Sequence, residues 1–468
     1  MSYKLDLDTI RDKFKFTSSI RHNPKIELEF LPYNTKFKDT QYNFREVIGE
    51  FIRLIGQKKL DEIVNTDELI NTVLDSIDFD EVHQRSEFRQ MIKTLFIDEN
   101  NQLYLFHPQT LYYINTVDNE NKKLATFLYN VLWINQQPWN ITNNTDYHSD
   151  LMSALLFKSL PQLNDNPKDP RSYDTIIPII SDLFIKDFNW LVTKSELFTS
   201  QVEKLISYYY FLYVTQFARK NELLFKATDI DIHPLYFTFE GEERLSKTRV
   251  SYEFGWKSIE RAINQTFAHV NFLKMINFTE SGSTDSDNDK LLSYQQIAEQ
   301  VQTMSLEEQI ELEQQVDTLI QEYKENLSGD IKWEQLGTFH SSSHIPALQK
   351  LDTLFHMIDH QFNNSSRSKP YNEFKQWFVH FCQKTFLKSR GRSGKMLILD
   401  TDYLLFLTKL MIKNEPKIRL KNLFSELEAR GIIFDRDTQT SIVDYFEKLN
   451  LLEKKSDSGD AIYVKAFL

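Results

Sequence analysis

MLILDTDYLLFLTKLMI at 396–412, KIRL at 417–420, KNLFSELEARG at 421–431, and the run from Ile432 through LLEKKSDSGDAIYVKAFL to Leu468 together decide the reading of this chain. The first segment predicts a helix over 396–412, KIRL a short strand, and 421–431 a second helix. A third helix is expected from Asp435 to Asn450, with Ile442, Phe446 and Leu449 on one face and Asp435 or Asp437 capping its amino end. LLEKK and AIYVKAFL flank the turn residues SDSGD and read as strand, turn, strand. That order predicts a winged-helix-like domain over 396–468, an architecture whose relatives often set their second motif helix into the DNA major groove. Opposite its apolar face, the third helix carries Asp437, Thr440, Ser441, Asp444 and Lys448. Two acids where phosphates would approach favour protein docking over base reading, although DNA contact stays open.

Working outward, KTFLKSRGRSGK places Lys384, Lys388, Arg390, Arg392 and Lys395 together with no intervening acid. Gly391 and Gly394 would let such a loop approach phosphate closely. With Lys454 and Lys455 of the expected wing, these seven residues are the candidate nucleic-acid contacts. From Lys384 onward there are 16 Lys and Arg against 12 Asp and Glu, a net of +4 that leaves −16 on residues 1–383. The overall −12 therefore conceals a basic end on an acidic body.

The remaining sequence predicts a mainly α fold with minor β: a multi-helical body plus the winged-helix-like end. Its 468 residues include 36 Phe and 21 Tyr, ample mass for a core, but only 11 Gly, which disfavours folds built on tight turns and nucleotide cradles. Residues 1–160 read as a mixed, mainly helical region whose first 35 residues are irregular or short-stranded, and in which 101–114 resembles two strands about Pro108. Proline and polar residues in 161–174 mark a boundary. Residues 175–278 form an aromatic-rich helical region with a small hairpin over 233–254 turning at Gly241. TESGSTDSDNDK, 279–290, reads as a flexible linker, and 291–387 as helical again, with Leu312, Val316, Leu319, Tyr323 and Leu327 along one helix face. LISYYYFLYVTQFA at 205–218 lacks charge but is too short to span a bilayer, and is expected to be a core helix. A single cysteine, Cys382, and a charged amino terminus without a secretory core point to the cytoplasm.

Chemical motifs are few. SGK at 393–395 resembles the end of a phosphate loop, but Ser389 and Met396 stand where a Walker element needs glycine and a hydroxyl. His356 and His360 in HMIDH lie one helical turn apart with Asp359 near their face, weak candidates for a metal that would still need further ligands. Ordinary helical histidines are favoured. No catalytic residues and no cofactor are expected.

Residues 396–468, and more loosely the helical body before them, resemble the G-component (DptG) family of DNA phosphorothioation-dependent restriction systems. The resemblance implies a bacterial antiphage assembly with an ATPase and a helicase- or translocase-like subunit, acting on DNA that lacks the protecting backbone modification. In it this chain would be a noncatalytic scaffold or DNA-engagement subunit, meeting DNA through the complex and touching no membrane. A sequence-specific winged-helix regulator and a divergent metal-dependent nuclease are the alternatives.

Overall fold

The computed structural model describes residues 3–15, 30–38, 42–139, 151–167, 170, 173–226, 231–242, 246–280, 291–327, 331–339, 341, 343–389, 391, 394–454 and 462–467. Among these, seventeen α-helices and nine short strands make the chain mainly α with minor β. It divides into two compact units: Tyr42–Ser172 with Ile180–Tyr210, and Met1–Gln41 with Tyr173–Ile179 and Phe211–Leu468.

Helix α1 spans Leu7–Phe14, capped by Asp6, whose carboxylate accepts from the Thr9 amide at 2.9 Å. The amino end is thus helical, where an irregular or stranded segment is expected; its local cue was this aspartate before a run with Ile10 and Phe14 both buried.

The unit around Tyr42–Ser172 contains α2 (Phe44–Ile55), β1 (Lys58–Lys59), α3 (Thr66–Asp75), α4 (Val82–Phe96), α5 (Asn119–Leu132), α6 (Leu151–Ser159) and β2 (Asn164–Asp165), followed by most of α7 (Pro178–Val192) and the first part of α8 (Ser195–Glu222). α2 buries Val47, Ile48, Phe51, Ile52 and Ile55, and α5 buries Leu124, Leu128, Val131 and Leu132 against it. Residues 101–114 do not form the expected strand pair. Leu103 makes one bridge to Ile97, and Pro108–Tyr113 is a 3-10 helix with proline in its first turn. The buried Arg53 accounts for the difference: Nη1 donates to the carbonyls of Tyr112 at 2.9 Å and Ile114 at 2.7 Å, doing what a strand partner would otherwise do.

Every residue from Leu205 to Ala218 in α8 is buried. Tyr209 donates to the buried Asp187 at 2.7 Å, and Tyr213 to Thr175 Oγ1 at 3.4 Å, so these rings fill the core while their hydroxyls stay paired. Among the described residues no helix is long and apolar enough to cross a membrane.

The other unit adds β3 (Leu235–Phe239), α9 (Val250–Glu253), α10 (Trp256–Ile276), α11 (Tyr294–Thr303), α12 (Leu306–Asn326), α13 (Pro346–Asn363), α14 (Ser368–Thr385), β4 (Leu387–Ser389), β5 (Lys395–Leu399), α15 (Thr401–Ile412), β6 (Lys417–Arg419), α16 (Leu420–Glu428), β7 (Ile432–Phe434), α17 (Arg436–Lys448), β8 (Leu452–Lys454) and β9 (Ile462–Lys465). α10 packs on α13 and α14, where Phe267 meets Phe362 and Phe374, and α12 lays Leu312, Val316, Leu319 and Tyr323 against α13. Of the expected linker, Thr279 bridges to Leu5 and the Glu280 amide donates to the Lys4 carbonyl at 3.0 Å; residues 281–290 lie outside the described residues.

Two small sheets complete this unit. The first has the order β4-β5-β3-β7, with β5, β3 and β7 parallel and β4 antiparallel to β5. This corrects three expectations. LYFTF at 235–239 pairs with strands far along the chain, not in a local hairpin, and its continuous apolar character is what a strand buried on both faces requires. MLIL at 396–399 is strand, and the helix begins only after Asp400, which accepts from the Tyr403 amide at 2.7 Å. Ile432–Phe434, expected to join two helices, is also a strand. Gly431 precedes it with φ +85, and a Cβ there would lie 2.8 Å from Leu212 Cδ1.

The second sheet is antiparallel, in the order β6-β9-β8. Val464, in its centre, is fully buried, opposite Ile418 on one side and Leu452 on the other. α17 follows the expected pattern at Ile442 and Phe446, but Leu449 is exposed because the helix ends at Lys448.

Candidate nucleic-acid interface

β4 and β5 carry the basic segment as an antiparallel hairpin in which Ser389 faces Lys395 and Lys388 faces Met396. Gly391 and Gly394 close it, both with positive φ, the Gly394 amide donating to the Gly391 carbonyl at 3.1 Å. A Cβ on Gly394 would stand 3.1 Å from the Tyr252 ring, so close internal packing, as well as turn geometry, calls for glycine there.

Charge pairing changes what the hairpin offers. Lys388 Nζ lies 2.5 Å from Glu240, and Lys395 Nζ lies 3.5 Å from Glu260. Lys384, in the last turn of α14, is exposed and makes no ion pair with a described residue. Lys454 in β8 sits 2.9 Å from Glu447 of α17. Arg390, Arg392 and Lys455 lie outside the described residues. Three of the four described candidates therefore have carboxylate partners, at partly or fully exposed positions where such pairs are weak and exchangeable.

α17 is anchored from the opposite direction. Asp435 caps it by accepting from the Thr438 amide at 3.0 Å, and the same carboxylate receives Arg249 Nε at 3.0 Å. Arg249 also binds Glu242 and donates to Thr438 Oγ1 at 2.8 Å. Burial alone would raise the Asp435 pKa, but the hydrogen bonds from Arg249 and from the Thr438 amide, with the guanidinium charge, pull it down to about 2. This network fixes the start of the helix and leaves Asp437, Thr440 and Asp444 exposed along it, with Ser441 half-buried.

The histidine pair is occupied by packing. His356 packs against Phe339 in a tilted arrangement, ring centroids 4.3 Å apart, and burial draws its pKa below the usual value. His360 Nε2 lies 3.2 Å from the Lys332 carbonyl and its Nδ1 3.2 Å from Asn364. Asp359 accepts from Gln265 and from the Tyr371 hydroxyl, each at 2.8 Å. Among the described residues no group of three or more His, Cys, Asp or Glu is arranged to hold a metal ion.

One basic surface is missing from the sequence reading. The strand β6 places Lys417 and Arg419 on one face of its sheet, and β9 places Tyr463 and Lys465 on that same face, Lys417 opposite Lys465 and Arg419 opposite Tyr463. The usable signal was the alternation in KIR and IYVK, whose apolar members point inward. The chain matches no protein-family model and has no significant match among curated proteins.

Proposed function

We propose that this chain is a noncatalytic scaffold or DNA-engagement subunit of a DNA phosphorothioation-dependent restriction complex, working in the cytoplasm beside an ATPase and a helicase- or translocase-like subunit. In this reading residues 396–468 form a winged-helix-like docking module, and DNA is met through the assembled complex. The observation that supports it is the pairing of β6 with β9 and of β9 with β8: the strand between α15 and α16 joins the terminal strand pair in one antiparallel sheet. That connectivity is the one a winged helix uses, and such modules serve both protein docking and DNA contact. The acids exposed on α17 favour docking for that helix, which weighs against a self-contained regulator reading bases in the major groove.

Purification of the tagged full-length chain from its native host, with partners quantified by mass spectrometry, tests this. Stoichiometric recovery of an ATPase and a translocase-like protein is the expected result. A reproducible monomer free of such partners overturns the proposal.

A further inference from the structure

We propose that the open face of the β6-β9-β8 sheet, built by Arg419, Tyr463 and Lys465 with Lys417 beside them, binds the phosphate backbone of nucleic acid. This deepens, and rests on, the DNA-engagement reading above by assigning it a surface other than the hairpin or α17.

The first reason is a like-charge pair. Lys417 and Lys465 stand directly opposite in the ladder, an arrangement that destabilises a sheet unless a counter-charge is present. Among the described residues of this face only Glu453, 2.6 Å from Lys417 Nζ, answers them, leaving three described cations against one described carboxylate. The Lys465 amide donates to the Leu451 carbonyl at 2.8 Å, but its side-chain ammonium has no hydrogen-bond or ion-pair partner among the described residues. A stability cost retained on a solvent face is explained by an anionic ligand.

Preorganisation is the second. Arg419 Nε donates to the Tyr463 hydroxyl at 3.1 Å, with its guanidinium carbon 5.8 Å from the ring centroid, while Lys417 Nζ lies 5.0 Å from the same centroid. The tyrosine thus holds the guanidinium in place while both terminal nitrogens remain unpaired among the described residues, available for a two-pronged bond to an oxyanion. Lys417 and Arg419, two residues apart on one strand, are spaced by about 6.8 Å, close to the interval between neighbouring phosphates of a nucleic-acid strand. Cations around an aromatic ring match the pattern of backbone-tracking nucleic-acid surfaces and favour this occupant over an acidic polypeptide.

The test uses the full-length chain and a fluorescein-labelled DNA duplex of arbitrary sequence, with anisotropy read from about 50 to 200 mM salt. The double variant Arg419→Glu/Lys465→Glu is expected to weaken binding at least about tenfold and to lower the salt slope by about two. Arg419→Gln/Lys465→Gln should act in the same direction with the thermal midpoint retained, and the charge-conserving Lys465→Arg should preserve affinity. Unchanged binding by the folded glutamine variant overturns the inference, as does wild-type protein that fails to bind at the lowest salt. Displacement by poly-glutamate as effective as by unlabelled DNA assigns the face to acidic polypeptide and also overturns it. Binding lost only in Lys388→Ala/Lys395→Ala leaves DNA engagement standing but removes it from this face. Binding through the face by a chain that recovers no ATPase supports the inference and overturns the restriction-complex reading alone.

Discussion

Arg249 and Asp435, 186 residues apart in sequence, meet in a two-pronged ion pair, Nε to Oδ2 at 3.0 Å and Nη2 to Oδ1 at 2.5 Å. The pair joins the segment after β3 to the amino end of α17, and both side chains are nearly inaccessible to water, at 8% and 10% exposure.

Arg249→Ala leaves Glu242 and Asp435 facing each other without their shared cation. Breaking a buried pair by removing one partner costs about 3–5 kcal/mol, and urea unfolding should show a loss in that range. Asp435→Asn is expected to cost less, because asparagine still caps the helix while losing the charge.

The same carboxylate predicts an acid limb. Its folded pKa of about 2 lies below the ordinary aspartate value, so its contribution is complete above about pH 4 and is lost as pH falls toward 2. In stability measured across that window, Asp435→Asn should flatten the slope relative to wild type. A slope unchanged by the substitution would show that Asp435 is not held by Arg249.

His269 sets a second window. Fully buried and stacked on Phe355 at 4.2 Å, it has a pKa lowered to about 3, chiefly by burial and further by the charges of His356 and Arg261. The folded chain keeps it neutral while the unfolded chain protonates it, so stability is complete above about pH 6.5 and declines toward pH 3. Between pH 6.5 and pH 5 this single group should account for a loss of about 2 kcal/mol. His269→Phe should remove that part of the decline in unfolding curves taken at the two pH values.

Gly431→Ala combines a left-handed φ of +85 with a contact of 2.8 Å to Leu212 Cδ1. A loss of at least about 1 kcal/mol is expected, read as a lower thermal midpoint. Gly337→Ala, with nothing within 4 Å of the added carbon and no positive φ, should leave the midpoint nearly unchanged.

The glutamates beside the hairpin also give a measurable outcome. Glu240→Gln/Glu260→Gln releases Lys388 and Lys395 from their partners, and DNA association of the full-length chain should strengthen and steepen its salt slope by up to about two. An unchanged slope would exclude both lysines from phosphate contact.

Much of the local structure was legible in residue order. The stripes Leu312–Val316–Leu319–Tyr323 and Ile442–Phe446 mark buried helix faces because their spacing follows the helical turn, and Asp435 marks a helix start because its side chain answers an amide three residues on. The candidate surface was less legible. Lys388, Lys395 and Lys454 form a free basic set in sequence, whereas Glu240, Glu260 and Glu447 reach them only in the fold.

By itself, then, the sequence determined a glycine-poor, mainly α chain with minor strands, its polar and apolar periodicities, and the acidic body with its basic end. Tertiary structure decided which short apolar runs became strands: LYFTF, MLIL and IIF find parallel partners across up to two hundred residues, and a period of two cannot be read from strands buried on both faces. It also decided which charges remain available. Coulomb pairing acts through space, so Lys388 is answered by Glu240 from the turn after β3, while among the described residues Arg419 keeps two unpaired nitrogens because a sheet, closed by β9, sets Tyr463 beside it.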